Sequence, residues 1–294
     1  MLFSLLNTPA AAVRPVPGAP GPGAPAAARV PKRRPHVLRE GAARALFGTA
    51  AALSIAAVAL ICLFLLANGV PAMAEIGLPE FLFGTTWRPV NDLYGIFPMI
   101  VGSLYVTAGA MIVGVPGGLL TALYFSRFAR GRTGSFLRSG VELLAGIPSV
   151  VYGFFGLVII VPFVRLLGPG TGLSVLAASL ILGIMILPTV ITVAQSALDA
   201  VPARYYEGAL ALGVDHEHAV FKVVAPAAAS GIMAAIVLGL GRAIGETMAV
   251  VMVAGNMPII PDSLLSGVRT MTANIVLEMG YAADLHLLRQ NIFA

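Results

Sequence analysis

This sequence has few charged residues and a single cysteine. Only 11% of its 294 residues are Asp, Glu, Lys or Arg, and 58% are apolar, whereas a soluble domain is about 25% charged. A soluble fold of this size needs a charged surface, so an ordinary soluble enzyme is excluded. The single cysteine, Cys62, excludes an internal disulfide and a cysteine-based zinc site. The composition therefore predicts a multi-span membrane protein.

The positive charge is concentrated at the N-terminus. Residues 1–44 contain seven basic residues and one acidic residue, whereas the rest of the chain is close to neutral. Residues 8–35 are rich in Pro, Ala and Gly, and we expect them to be disordered. Basic residues just before a span favour a cytoplasmic anchor. We prefer this interpretation of the basic cluster at 32–34 to nucleic-acid binding.

Long runs without charge predict five membrane-spanning helices. All five are long enough, because about 20 helical residues cross a hydrocarbon core of about 30 Å. They are too continuous for barrel strands, so the predicted fold class is an all-α integral membrane bundle. Pro116 predicts a kink in the second span, and Pro148 interrupts the third. The predicted spans are residues 45–68, 97–125, 143–163, 173–198 and 223–258.

Loop charges predict the orientation of the chain in the membrane. Residues 69–92 carry three acidic residues and are expected outside, whereas residues 126–142 carry four arginines and are expected inside. The basic N-terminus is expected in the cytoplasm, and alternation then places residues 199–222 there as well. The predicted domains are a tail and pre-membrane segment at 1–44, a transmembrane domain at 45–261 and an extracytoplasmic segment at 262–294.

The predicted cytoplasmic loop at 199–222 has the pattern of two short helices joined by a glycine. Asp199 suits an N-cap and Pro202 a first helical turn. Gly213 suits the end of a helix, where a positive φ is needed. The loop is more apolar than solvation requires, which predicts a docking surface for a soluble partner. Its apolar side chains include those of Tyr205, Leu210 and Leu212.

Two charged residues, Arg242 and Glu246, lie within the fifth predicted span. Four residues apart, they share one helix face and are expected to form an ion pair. Pairing lowers the cost of placing Arg in the membrane, about 2.5–3.5 kcal/mol on insertion scales. In the functional interpretation Arg242 offers its guanidinium to an oxyanion and Glu246 holds it in place. In the structural alternative the pair only fixes helix packing.

The loop spacing resembles the EAA loop of ABC importer permeases. It reads Glu-x-Ala-x-x-x-Gly, then nine residues, then Val-x-Ala-Pro. In that family this loop is the coupling helix that sits in a cleft of the ATPase. The matching residues are Glu207, Ala209, Gly213 and Pro226.

Further segments resemble the PstC-type permease of the phosphate (Pst) ABC importer. They are residues 142–153 and 239–250, with Thr-Thr-Trp-x-Pro at 85–89 and Ile-Met-Ile-Leu-Pro at 184–188. The resemblance implies a type I ABC importer permease for inorganic phosphate in the inner membrane. The family has six spans, and the last is expected to be missing here, because no charge-free run near 18 residues follows Pro261.

The resemblance also implies partners. These are a PstA-type permease in a heterodimer, two copies of a PstB-type ATPase, an extracytoplasmic phosphate-binding protein and membrane lipid. It makes the EAA residues an ATPase-coupling loop, and Arg242 and Glu246 part of the translocation path. It implies no cofactor, metal or catalytic residue in this chain, because the partner ATPase hydrolyses ATP.

Other functions stay open at this point. A permease for another oxyanion, such as sulfate or molybdate, would use the same features. A non-ATP-driven anion channel would explain Arg242 but not the loop. An intramembrane enzyme is disfavoured, because His216-Glu-His218 is not an H-E-x-x-H motif and is expected on a solvated surface.

Overall fold

The computed structural model describes residues 37–129 and 131–279 of the chain. Residues 1–36, which hold most of the predicted tail, and residues 280–294 lie outside this part. The described chain is helical nearly throughout, with one antiparallel pair of two-residue strands. The predicted all-α class is therefore confirmed. The chain divides into two units, Met1–Ala67 and Asn68–Ala294.

The first unit is described from Val37 onward and is entirely helical. It belongs to α1 (Val37–Ile76), which is long and apolar enough to cross a membrane. The helix already includes residues 37–44, the last part of the predicted tail and pre-membrane segment, whereas most of the stretch expected to be disordered, residues 8–35, lies outside the described residues. Residues 37–44 have no proline and are rich in good helix formers. Leu53 and Phe64 are exposed, as are most of the apolar side chains in this unit, which suits a lipid environment.

Two long helices of the second unit match the predicted second and fourth spans. They are α3 (Phe97–Leu123) and α7 (Val175–Asp199), and their ends lie within two residues of the predicted bounds. The other helices are α2 (Leu78–Phe83), α4 (Gly131–Gly146), α5 (Ser149–Phe155), α6 (Val161–Arg165), α8 (Ala203–Ala211), α9 (His216–Ala219), α10 (Ala225–Ala227), α11 (Ala229–Gly245), α12 (Met248–Val253) and α13 (residues 271–279). The strands are β1 (Trp87–Arg88) and β2 (Leu93–Tyr94), and π-helical turns cover Tyr124–Phe128, Gly156–Ile160 and Val220–Val224.

The third predicted span is sharply bent. α4 meets the helix that runs from α5 to α6 at an angle of 100°. Proline restricts the residue before it to extended backbone, so α4 ends before Pro148 and a new helix begins at Ser149. The predicted span at 143–163 therefore contains the bend at the predicted interruption, and the helix begins about three turns before that range, at Gly131.

The fifth predicted span, at 223–258, is interrupted twice. The helix bends by 72° between α10 and α11. It then ends at Gly245, because Glu246 has an extended backbone with φ −73° and ψ 131°. In the described chain, three helices are long and apolar enough to cross a membrane, or up to five if each bent pair is one span. That upper number equals the number of spans predicted from the sequence.

The core lies where α3 packs against α7. A Cβ added to Gly114 would lie 2.5 Å from Cγ1 of Ile186, so glycine is needed for the helices to approach this closely. The buried Ser179 hydroxyl donates a hydrogen bond to the carbonyl of Val106 over 3.2 Å. These contacts hold α7 firmly, and α7 in turn positions the polar side chains of its last three turns.

Candidate functional site

The loop after α7 contains the two short helices that the sequence predicts. α8 and α9 are joined by a turn in which Gly213 has φ 83°, a conformation that glycine adopts without strain. We refer to residues 203–226 as the two-helix segment. Within it, Ala209 is buried, whereas Glu207 and Pro226 are exposed.

The start of the two-helix segment differs from the prediction. Asp199 is the last residue of α7, and Pro202 takes the N-cap position of α8. The Asp199 carboxylate accepts hydrogen bonds from Oγ of Ser126 over 2.5 Å and from Nε2 of Gln195 over 3.4 Å. Asp199 therefore joins α7 to the turn after α3 and does not cap α8.

The inner side of the two-helix segment is attached to the ends of α3 and α7. Tyr206 and His216 share a hydrogen bond of 2.7 Å between the phenol oxygen and Nδ1. The His216 ring packs edge-on against Phe128, with ring centroids 4.7 Å apart. Arg127 lies over the Tyr206 ring and donates to the carbonyl of Leu198 over 2.8 Å. His216 is therefore a half-buried contact residue, and the expectation of a solvated surface is wrong for it.

The outer side of the two-helix segment is exposed and largely apolar. Glu207, the acidic residue of α8, is exposed as well. An open cavity of about 550 Å³ lies beside the segment and is lined by Pro202 and Tyr205 together with the start of α11. This is the surface expected of a site that docks another protein. Its exposed large side chains are Tyr205, Leu210, Leu212 and Phe221.

Arg242 lies in the last turn of α11 and is exposed. Its Nη1 donates a hydrogen bond to Oγ1 of Thr189 on α7 over 3.3 Å. A guanidinium has five N–H donors, and this bond uses one of them. The other donors are available to an anion at this point.

The predicted ion pair between Arg242 and Glu246 is wrong: in the described chain no ion pair joins the two side chains. The pairing rule requires a continuous helix, and α11 ends at Gly245. Oε1 of Glu246 instead accepts a hydrogen bond from the backbone N–H of Ala249 over 3.2 Å, at the start of α12. Its backbone carbonyl accepts from Oγ1 of Thr272 on α13 over 3.0 Å.

Sequence reasoning missed a polar network that connects the chain after α12 with the strands. Glu278 Oε1 accepts hydrogen bonds from Nε1 of Trp87 over 3.2 Å and from Nη1 of Arg269 over 2.9 Å. Nε of Arg269 donates to the carbonyl of Asn256 over 2.9 Å. Trp87 and Glu278 are far apart in sequence, so no local spacing could have indicated this contact.

Comparison with known proteins identifies the kind of membrane protein. Residues 114–279 match the family described as "Binding-protein-dependent transport system inner membrane component". The chain belongs to this family. The permease is 37% identical over 257 residues to the "Probable ABC transporter permease protein YqgH" of Bacillus subtilis, which covers 86% of this chain and 83% of the relative.

The permease is also similar to proteins named "Phosphate transport system permease protein PstC". The one from Mesorhizobium japonicum is 32% identical over 238 residues, covering 74% of this chain and 72% of the relative. The one from Pasteurella multocida is 34% identical over 226 residues, covering 70% and 71%. A solved structure of the MetNI methionine ABC transporter in inward-facing conformations aligns with a TM-score of 0.44 at 20% identity, covering 67% of this chain and 90% of that chain.

The family match and the relatives named PstC confirm the resemblance to PstC-type permeases of ABC importers. As a member of this family, the permease is a multi-pass protein of the inner membrane that works with an ATPase and a substrate-binding protein. The coupling role of Glu207, Ala209, Gly213 and Pro226 stays a prediction. So does the translocation role of Arg242 and Glu246.

Proposed function

We propose that the permease is the transmembrane subunit of an ATP-driven importer of inorganic phosphate. The proposal rests on Arg242, an exposed guanidinium held by Thr189 beside a helix break inside the fifth span. A cation within a membrane span is costly unless it faces a bundle interior or a water-filled path. A planar guanidinium suits a tetrahedral oxyanion because it offers paired donors. The relatives named phosphate transport permeases support phosphate as that anion.

The partners follow from the same proposal. The permease pairs with a PstA-type permease, and two copies of a PstB-type ATPase bind the cytoplasmic side. A phosphate-binding protein delivers the anion from outside, and the N-terminus of the permease is cytoplasmic. The permease itself catalyses no reaction, because ATP is hydrolysed by its partner.

The two-helix segment is the proposed ATPase-coupling element. Its exposed outer side, with Glu207, would sit on the ATPase. Its inner side contacts the ends of α3 and α7 through Tyr206, His216 and Phe128. Movement of the ATPase would therefore be passed to α7, the helix that carries the Thr189 partner of Arg242.

Glu246 takes a different part in the mechanism from the one the sequence suggests. It stabilises the start of α12 and, through its carbonyl, contacts α13. The break that it occupies ends α11 one turn after Arg242. In this proposal Glu246 fixes the geometry around the guanidinium and does not neutralise its charge.

The test is uptake of labelled phosphate by a strain that lacks its own high-affinity phosphate permease and expresses the permease with its cognate partners. We expect ATP-dependent uptake that excess sulfate and molybdate do not inhibit. Inhibition by sulfate or molybdate at matched concentrations would assign another oxyanion. Uptake that persists with a hydrolysis-deficient ATPase partner would indicate a channel.

A further inference from the structure

The last three turns of α7 carry a stripe of polar side chains on an otherwise apolar helix. At 3.6 residues per turn, all the polar residues from 189 to 199 fall within about 120° of the helix circumference. The opposite side of the same turns is core, since Val190, Ala194 and Leu198 are at most 1% exposed. We refer to the stripe as the α7 polar stripe. Its members are Thr189, Thr192, Gln195, Ser196 and Asp199.

The α7 polar stripe begins at Thr189, the residue that contacts Arg242, and runs along α7 toward the two-helix segment. Arg242 bonds to Oγ1 of Thr189, and the Thr192 hydroxyl lies within hydrogen-bond distance of the carbonyl of Thr189. The hydroxyls of Thr192 and Ser196 bond to backbone carbonyls one turn earlier, so they are satisfied when no ligand is present. Both can rotate to donate to an anion.

A cavity of about 230 Å³ lies beside the middle of the α7 polar stripe. It is bounded by Thr192, Gln195 and Ser196 on α7 and by Arg138 and Glu142 on α4. Ser196 lies about 10 Å along the helix axis from Thr189, at 1.5 Å per residue. The cavity therefore lies apart from Arg242 on the same face of α7, and Phe125, Val141 and Ile191 complete its lining.

Arg138 is anchored at this cavity and still has donors to offer. Its Nη2 donates to the carbonyl of Phe125 over 2.5 Å, and its guanidinium lies 5.9 Å from the centroid of the Phe125 ring. The remaining N–H groups are enough for a bidentate contact with an oxyanion. Arg138 is thus oriented by the carbonyl and ring of Phe125, whereas Arg242 is oriented by the Thr189 hydroxyl.

Glu142 gives the cavity a selectivity that a cation by itself would not have. It lies one helical turn from Arg138 on α4, and in the described chain no ion pair joins the two. A carboxylate only accepts hydrogen bonds. Inorganic phosphate keeps at least one proton at neutral pH and can donate to it, whereas sulfate has no proton to donate. Beside a bound anion, the Glu142 carboxylate would therefore favour phosphate over sulfate, and its negative charge would keep the site from holding the anion too tightly.

We propose that a second oxyanion-binding site on the translocation path is formed by Arg138, Glu142 and the hydroxyls of Thr192 and Ser196. An anion released from Arg242 would bind there before it enters the cytoplasm, and Glu142 would favour an anion that keeps a proton. The inference rests on the proposed phosphate function, because it concerns the route of the same anion.

The test uses a cysteine reporter in the cavity, and the chain is suited to it because Cys62 is its single cysteine. Cys62→Ser removes the background thiol, and Val141→Cys places a thiol at the cavity lining without altering a proposed anion ligand. The complete complex with its partners is reconstituted in lipid vesicles. The rate of modification by a water-soluble thiol reagent is measured with phosphate, with sulfate and with neither. Uptake of labelled phosphate is measured on the same complex.

We expect phosphate to slow modification of the thiol introduced by Val141→Cys, and sulfate to leave its rate unchanged. Arg138→Gln should raise the phosphate concentration needed for protection by about tenfold or more, the effect of losing a charge-assisted hydrogen bond. Arg132→Gln, on the same helix but away from the cavity lining, should leave protection unchanged. Glu142→Gln should let sulfate protect as well, because an amide can donate to it.

The proposal is overturned if phosphate does not slow thiol modification in a complex that imports phosphate. It is also overturned if phosphate protects the thiol equally well with and without the Arg138→Gln substitution. Equal protection by sulfate and phosphate in the parent would overturn the role of Glu142. Failure of the proposed function is distinguished by the uptake assay: an assembled complex that imports no phosphate would contradict that function before any variant is compared.

Discussion

Arg242 on α11 donates a hydrogen bond to Thr189 on α7 over 3.3 Å. This contact connects the charge inside the fifth span to the helix that ends at the two-helix segment. It replaces the ion pair with Glu246 that the sequence predicts. The position of the guanidinium therefore depends on α7, and a movement of α7 would shift it.

Arg242→Leu should reduce phosphate uptake by at least about tenfold, since the variant loses every charge-assisted donor at this point. Arg242→Lys should restore part of the uptake, because it keeps the charge but not the planar fork. Uptake is compared at equal amounts of assembled complex. If the ATPase no longer co-purifies with Arg242→Leu, the structural alternative for this residue is favoured.

Substitutions of Glu246 separate capping from charge pairing. Glu246→Ala should lower stability by about 1 kcal/mol, because the N–H of Ala249 loses its acceptor. Glu246→Gln should retain most of this stability, since its side chain keeps an oxygen that can accept. Thermal unfolding of the purified complex measures both variants. Equal destabilisation by Gln and Ala would mean that the negative charge matters, contrary to the capping role.

Glu207→Lys should abolish ATP-dependent uptake while leaving membrane insertion intact, because it reverses the charge on the proposed ATPase-docking side. Glu217→Lys is the matched control, since Glu217 is also exposed and lies on α9 outside the motif. Uptake and the amount of co-purified ATPase are the measurements. Full uptake by Glu207→Lys would contradict the coupling assignment.

Tyr206→Phe should weaken the attachment of the two-helix segment, because it removes the hydrogen bond to His216. The expected loss is about 1 kcal/mol of stability, with a lower rate of transport-coupled ATP hydrolysis. Tyr205→Phe removes a hydroxyl from the neighbouring exposed side chain and should leave stability unchanged, so it is the control for the stability measurement. Similar losses in the two variants would contradict the specific role of Tyr206.

Glu278→Gln should destabilise the network that connects α13 to the strands. The variant removes the charged partner of Arg269, whose side chain is 16% exposed, and such a loss costs about 1–3 kcal/mol. Thermal unfolding is the measurement, and Glu80→Gln, at an exposed acid before the strands, is the control. A midpoint for Glu278→Gln equal to that of Glu80→Gln would show that the network adds no stability.

Features of the site that depend only on residues close in sequence could be predicted from the sequence. Gly213 was found because a positive φ between two short helices requires glycine, and the structure has φ 83° there. The Asp199 cap was wrong because a cap is decided by competition: the side chain bonds to Ser126 and Gln195, and α7 continues through it. The contact of Tyr206 with His216 gave no sequence signal, because its residue types fit a solvated loop equally well.

The all-α membrane class, the bounds of α3 and α7 to within two residues and the similarity to ABC importer permeases could all be predicted from the amino-acid sequence. Apolar run length and motif spacing are properties of the chain, and they do not depend on how the helices pack. The break in the fifth span and the residue that holds Arg242 could not be predicted and required the folded structure. Glu246 leaves the helix where Ala249 and Thr272 offer it hydrogen bonds, and Thr189 comes from a different helix. Contacts of this kind depend on how helices pack, which periodicity along one helix does not encode.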